Sequence, residues 1–582
     1  MRIFISVLLL GTLTLTHALQ GVSTTEHFNN SLTLDREGNY LLFWNYNTTH
    51  VTFEVRVKTR GYVGFGLSPN GNMYPADVVV GWVKDGQVHF QDRHTTGHYT
   101  PTVDKSQDWF LLHGEENDFG TVLKFVRKLS TCDQNDMEIN NGTQRVIYSY
   151  HHEDPADENS LAYHGAERRG TKSVNLLNVN KPPETVSFEE VKVYDFTAGN
   201  YLVPDKDTTY LCVANQMPDL GGKHHMIEFE PIYTPGNEHM IHHLVIQRCP
   251  GKHPDLHNAK GECFTNWPKG WPYCPEIFIG WATGGGPYYF PPNTGYPVGG
   301  PDDYSFMVMQ IHYDNPSFKS GMIDNSGIRM RLTPKLRQHD IGSLVIGHNV
   351  APFQVIPPHE TAYVTKGYCA HQCLSEAMDG EHVDEIRAVS VMHHAHLYAS
   401  GMKTRHFRNG TELKPIYDDP NYDFYFQEFV SLKDEVVIKR GDSLRTECTY
   451  TTSRSTDPVF GGLTTREEMC ETFLYYYPKL DILVCTSFPA MWTKYNYTRG
   501  EDDWGEGPGS FKYVMKHAYD WSNSTERSLF KLEQENVSVY HTCSFNSHNG
   551  TNRHDHREWE FVEHDTDYIS YVPPKSDCDI AN

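Results

Sequence analysis

Apolar and polar residues alternate through HVTFEVRVKT at 50–59, YSFMVMQIHYDN at 304–315 and HLVIQRC at 243–249. A two-residue period sends successive side chains to opposite faces of a strand. Gly, Pro and Asn punctuate these runs, as turns require. Helical periodicity is scarce, and one short helix is expected over 466–476. The pattern predicts an all-β chain of β-sandwiches.

The runs group into units. Residues 30–150 hold YLLFWNYN, VTFEVRVKTRGYVGFGLSPNG, ADVVVGWVKDG and a closing RVIYSYHHED, and read as a first sandwich. Residues 151–190 read as a linker, with a boundary near Gly170: an acidic EDPADENS is followed by the polar stretch from Asn178 to Val186. A second unit is expected over 191–356 and a third over 357–545, with Pro357-Pro358 at the junction. The stretch after Cys485 reads as irregular, and a tail over 546–582 is expected to be tied back through Cys578.

Residues 1–18 read as a secretory signal: Arg2, an apolar run from Ile3 to Leu15, and Thr16-His17-Ala18 as a cleavage site. No other stretch approaches about 20 apolar residues, so no transmembrane segment is expected. Asn29, Asn47, Asn141, Asn409, Asn496, Asn523, Asn536 and Asn549 each open a glycan sequon. The twelve cysteines are an even number, which in an oxidising compartment favours disulfides over free thiols. Cys369-x-x-x-Cys373 reads as two disulfide ends rather than a metal site. These signs place the mature chain in the secretory lumen or outside the cell. A formal net charge of -24 argues against nucleic acid and anionic membranes as partners.

Histidine carries the candidate chemistry. His394 and His396 stand two apart in VMHHAHLYASG, so a regular strand presents both to one ion, and His393 faces the other way. His242 and His243 in HMIHHLVIQRC reach one ion only where the backbone bends or the strand ends. His312 lies in a strand-like segment, and Met469 stands beside Cys470 in GGLTTREEMCETF. Imidazoles together with a thioether select copper, because soft sulfur suits Cu(I) and imidazole suits both oxidation states. His224-His225 has the same dipeptide and receives a structural reading.

Together, HMIHHLVIQRC, QIHYDNPSF, HHAHLYASG and GGLTTREEMCETFLYYYP resemble the copper type II, ascorbate-dependent monooxygenases, in the branch of the DBH-like and dopamine beta-hydroxylases. The segments GYVGFGLSPNG, PADVVVGW and TCDQND resemble the DOMON domain that precedes the catalytic core in that branch. The resemblance implies a DOMON sandwich followed by two jelly-roll-like copper domains. It implies two copper ions per chain. His242, His243 and His312 would bind the electron-transfer copper, and His394, His396 and Met469 the oxygen-binding copper. It implies the pairs Cys132–Cys578, Cys212–Cys263, Cys249–Cys274, Cys369–Cys485, Cys373–Cys543 and Cys448–Cys470. No cysteine then remains for an inter-subunit bridge. In the DOMON-like unit it points to a Ca2+ or monovalent cation at Asp77 and Asp108, completed by the carbonyls of Val78 and Arg93. No haem ligand pair stands out there, although Met73 and several histidines are present.

The implied activity is insertion of one oxygen atom into an activated C–H bond, with O2 as co-substrate and ascorbate as electron donor. The peptide-amidating branch grips a carboxylate with an Arg two residues before its HxH, and with an Asn and a Tyr two and four after its Met. Those positions are Met392, Glu471 and Phe473 here. This lining repels a carboxylate and suits a small aryl amine. The competing readings are a catalytically inactive, secreted copper-binding relative, and a redox or ligand-binding protein acting through the DOMON unit.

Overall fold

The computed structural model describes residues 23–177, 191–249, 251–263, 271–272, 274, 276–300, 306–491, 495, 505–545, 555–561, 568–573 and 578. The leader 1–18, the stretch 178–186, Asn496 and Asn549 lie outside the described residues. The chain divides into two compact units. The first takes 1–140, 144–177 and 575–582, and the second takes 141–143 and 178–574.

The first unit is a sandwich. One sheet runs Asn30–Thr33, Tyr40–Tyr46, His50–Val57, Thr121–Lys128, Trp109–Glu116. The other runs Arg169–Val174, Gln144–Tyr150, Val63–Ser68, Asp77–Lys84, Gln87–His94, Thr102–Val103. Alternate apolar residues of both sheets meet between them, as where Phe53 and Phe65 sit with ring centroids 5.2 Å apart. The linker expected from 151 is corrected here. Arg169–Val174 is an edge strand paired along Gln144–Tyr150, so the unit runs to about residue 177. Its exposed, polar side chains gave no apolar signal.

The second unit holds two further sandwiches. In the first of these, one sheet runs Lys192–Thr197, Gly327–Thr333, His224–Ile232, Thr294–Val298, His339–Asp340. The facing sheet runs Lys260–Glu262, Thr208–Gln216, Phe306–Asp314, Ile241–Cys249, Glu276–Ala282. The second has a seven-stranded sheet: Val430–Lys439, Glu385–Ala395, Cys470–Tyr477, Gly342–His348, Ile482–Pro489, Val539–Phe545, Asp555–Phe561. A smaller sheet opposes it, led by Tyr363–Cys369, Ser443–Tyr450 and Ala399–Arg408.

Three expectations change. The helix expected over 466–476 is instead the strand Cys470–Tyr477, flanked by Glu385–Ala395 and Gly342–His348. Its residues are buried on both faces, which erases the alternation that marks a half-buried strand. The junction expected at 357 moves back, because Gly342–His348 already pairs with Cys470–Tyr477 and Ile482–Pro489. The described residues after Cys485 are not all irregular: they include the helices Phe511–Ala518 and Ser524–Asn536 and the strands Val539–Phe545 and Asp555–Phe561. The Asn523 side chain caps the second helix by accepting from the Thr525 amide at 2.9 Å.

All six expected disulfides are present, and no free cysteine remains. Cys448–Cys470 joins the two sheets of the last sandwich next to Met469. The two sandwiches of the second unit share one core. Phe290 meets Tyr475 at 5.3 Å and Tyr288 meets Phe429 at 5.4 Å, and the Tyr475 hydroxyl donates to the Phe278 carbonyl. At the rim, Glu276 accepts from Arg248 and from Lys479.

Candidate metal centre

Ile241–Cys249 and Phe306–Asp314 pair antiparallel, and His243 stands opposite His312. The register slips between Ile241 and His243. That bulge bends the backbone, so neighbouring His242 and His243 turn toward one point. The His243 Nδ1 lies 3.2 Å from His242 Nδ1 and 3.4 Å from His312 Nδ1. Such spacings suit donors that share one transition-metal ion bound at about 2 Å. All three imidazoles are buried. Burial, helped by the neighbouring His394, pushes the His242 pKa down to about 3, and His243 and His312 are also lowered, first by burial. The rings are therefore neutral at pH 7, with lone pairs free to bind metal.

The second set forms at the ends of Glu385–Ala395 and Cys470–Tyr477. His394 pairs with Glu471 and Ala395 with Cys470. His396 and Met469 flank that last pair, and the amides of both donate to the Glu468 carboxylate. His394 Nδ1 bonds Gln427 Oε1 at 2.7 Å, and His396 Nδ1 bonds the Glu467 carbonyl at 2.9 Å. Those acceptors require protonated Nδ1 atoms, which leave each Nε2 as the lone-pair donor. The buried His396 Nε2 has no hydrogen-bond partner among the described residues. Glu468 lies between the two arms. Its carboxylate accepts from the amides of His396 at 2.9 Å, Tyr398 at 2.7 Å and Met469 at 3.3 Å. His393 points to the opposite face and bonds Thr404 Oγ1 at 2.9 Å.

Met392 shares the His394 face, and its cross-strand partner is Phe473. Glu471 is on that face too. Among the described residues nothing hydrogen-bonds its carboxylate, and burial pushes its pKa up to about 7. Met392 also lines a cavity of only about 10 Å³ with Gly280, Tyr288, Gln427 and Phe429. That space holds no more than one water, and His394, Glu471 and Phe473 do not line it.

The remaining candidates separate clearly. His225 bonds Asp340 at 2.8 Å and accepts the Arg337 amide, and His224 Nδ1 bonds the Gly222 carbonyl. Those contacts hold both rings in the wall of the other sheet. Asp77 accepts from Trp109 Nε1 and Arg127, both at 2.8 Å. Its oxygen-donor neighbours are Asp92 and Asp136. Asp108 contributes its backbone amide to Asp92, at 2.7 Å, and its carboxylate is not in the cluster. Val78 and Arg93 are cross-strand partners beside it. Burial raises Asp77 to about 7 and Asp92 to about 8. Met73, with His98 and His164, lines a cavity of about 830 Å³ in the first unit. Asn29, Asn47, Asn141, Asn409, Asn523 and Asn536 are all exposed.

Sequence reasoning missed Gln427, Glu468, Asp92 and Asp136. Glu468 adjoins Met469, which offered a signal; Gln427 lies 31 residues beyond His396 and offered none.

Comparison with known proteins agrees with this geometry. Residues 194–320 match the family model for the copper type II ascorbate-dependent monooxygenase N-terminal domain, 339–498 its C-terminal domain, and 36–151 the DOMON domain. Human DBH-like monooxygenase protein 1 is 40% identical over 458 residues, covering 78% of this chain and 74% of that protein. The Gallus gallus protein of the same name is 41% identical with the same coverage. Dog dopamine beta-hydroxylase is 32% identical over 497 residues, covering 84% of this chain and 78% of that protein.

Proposed function

The chain belongs to the copper type II ascorbate-dependent monooxygenases, and from that premise we propose that it hydroxylates an activated C–H bond of a small aryl amine, using O2 and ascorbate. The observation that supports this reading is the convergence of His242, His243 and His312, beside buried His394 and His396 whose Nδ1 atoms are held by acceptors. His242, His243 and His312 would hold one copper, and His394, His396 and Met469 would hold the other. Bound copper supplies one-electron redox chemistry and an open coordination position for oxygen.

The protein's own share is positional. Burial keeps the imidazoles neutral. Gln427 and the Glu467 carbonyl fix the tautomers of His394 and His396. Glu468 fixes the backbone that carries His396 and Met469. The aromatic seam keeps water from the second set. Glu471 offers the ammonium a carboxylate on the His394 face, and Met392 and Phe473 offer the ring an apolar wall.

A Ca2+ or monovalent cation in the first unit is supported by Asp77, Asp92 and Asp136, whose ligand atoms lie within 4.8 Å of one another. Six disulfides and exposed sequon asparagines support a secretory-lumen or extracellular location. Among the described residues no helix is long and apolar enough to cross a membrane.

The test is a competition between a phenethylamine and a glycine-extended peptide on copper-reconstituted protein. Loss of a charge-assisted carboxylate contact costs roughly 2–4 kcal/mol, or about 30- to 1000-fold in selectivity. Glu471 adds repulsion against a carboxylate. Hydroxylated amine without amidated peptide supports the reading. Efficient amidation overturns the substrate class and leaves the copper assignment standing.

A further inference from the structure

Two aromatic rings flank the three-imidazole cluster, and both are tied to the second ligand set. Tyr210 lies along His312 with centroids 4.3 Å apart and planes 16° apart. Its hydroxyl donates to the Leu463 carbonyl at 2.6 Å. Leu463 is in the other sandwich, on the loop that leads into Met469. Phe424 also comes from that sandwich. It lies along His242 at 4.1 Å and 22°, and turns its edge to His396 at 6.2 Å and 87°.

Gln427 continues the second arm. Its amide donates to the Thr283 carbonyl at 3.1 Å, across the seam. The Thr283 amide in turn donates to the His242 carbonyl at 2.8 Å. The Gln427 Nε2 donates to the Phe424 carbonyl at 2.8 Å, while its Oε1 holds His394. One arm thus runs from His312 through Tyr210 and Leu463 to Met469. The other runs from His242 through Phe424 and Gln427 to His394.

We propose that Tyr210, Phe424 and Gln427 form an interdomain clasp, a set of positioning residues that fixes the spacing of the two ligand sets. The proposal rests on the copper reading only where it calls the imidazoles ligands, since every contact in the clasp is made by protein alone. Stacking gives each arm a preferred ring geometry, and the hydrogen bonds at its far end fix direction.

Hydrogen exchange on the metal-free full chain reads the clasp directly, because local opening exposes the amides that cross the seam. Phe424→Leu should speed exchange in the peptide containing Gln427 by about tenfold or more, and Phe424→Tyr should restore it. Tyr210→Phe keeps the stack but loses the bond to Leu463, so exchange should rise in 461–468 and not at Gln427. A spectroscopic signature follows on the Cu(II)-loaded protein. At unchanged copper content, Phe424→Leu should shift the Cu(II) electron paramagnetic resonance parameters of the site that contains His242, and Phe424→Tyr should restore them. Wild-type exchange in Phe424→Leu, or Cu(II) parameters in that variant indistinguishable from wild type, overturns the clasp. If Phe424→Leu fails to fold, unchanged exchange of 461–468 in Tyr210→Phe overturns it and increased exchange supports it. Absence of oxygenase activity alongside a positive exchange result would sink the proposed reaction and leave the clasp intact.

Discussion

His243 and His394 come from different sandwiches and from the two different ligand sets, yet their rings lie 5.7 Å apart and at 89° to each other. The shared aromatic core beside them holds the sandwiches together, so the two sets face one another across a buried space. A large apolar interface of this kind resists domain separation.

Met469→Ile should leave the protein folded and lower its copper content from two to one per chain, with loss of oxygenation. Met469 is buried, and a swap that nearly conserves volume costs under about 1.5 kcal/mol. The thioether goes, while the three-imidazole set is untouched. Copper analysis beside a turnover assay checks this. Near-wild-type turnover would remove Met469 from the ligand set.

Glu468→Ala strips the acceptor from three amides, two of them on His396 and Met469. Each unsatisfied buried donor costs about 1–3 kcal/mol, so urea unfolding should show a loss of at least about 2 kcal/mol. Glu468→Gln keeps one oxygen and should lose roughly half as much. The alanine variant should also release its second copper more readily under chelation. Wild-type stability in Glu468→Ala would show that the carboxylate is dispensable.

HVTFEVRVKT was legible because its second face carries polar Thr52, Glu54 and Arg56, the last two buried as an ion pair, so the two-residue period survives. Cys470–Tyr477 was not, because its central position buries both faces. Arg169–Val174 was missed for the opposite reason, being a polar edge strand. The histidines were legible as clusters, since ligand chemistry leaves a local mark. The bulge that lets His242 and His243 converge is set by pairing with Phe306–Asp314, about 65 residues away, and the sequence carries no trace of it. Gln427, and the approach of Asp92 and Asp136 to Asp77, depend likewise on contacts made only in the folded chain.

The first unit should lose stability as pH rises. Asp77 at about 7 and Asp92 at about 8 are both raised above the unfolded value of 3.8, mainly by burial. The folded unit then holds protons that the unfolded chain releases, so this contribution is complete below about pH 4 and is lost as pH rises through 7 to 8. Its size is on the order of a few kcal/mol, shared among coupled carboxylates. Hydrogen exchange of Asp77–Lys84 and Thr121–Lys128 should quicken from pH 5 to 8 beyond the intrinsic rate change. Added Ca2+ should slow it at pH 8, and Asp92→Asn should flatten the dependence. Greater protection at pH 8 than at pH 5, without added cation, would contradict this.

His224→Ala serves as the control histidine. His224 bonds the Gly222 carbonyl, two residues away, and sits in the sheet facing the one that carries the three imidazoles. Copper content should remain at two per chain. Loss of one copper would mean that the HH pair at 224–225 had been dismissed wrongly.

The central claim is tested most directly by oxygen consumption of the copper-reconstituted chain with ascorbate and a phenethylamine. Uptake should require copper, ascorbate and amine together, with one hydroxylated amine formed per O2 consumed and two coppers bound per chain. Two bound coppers without amine-dependent uptake across a panel of aryl amines would contradict it, and would make this chain a copper-binding relative that has lost the reaction.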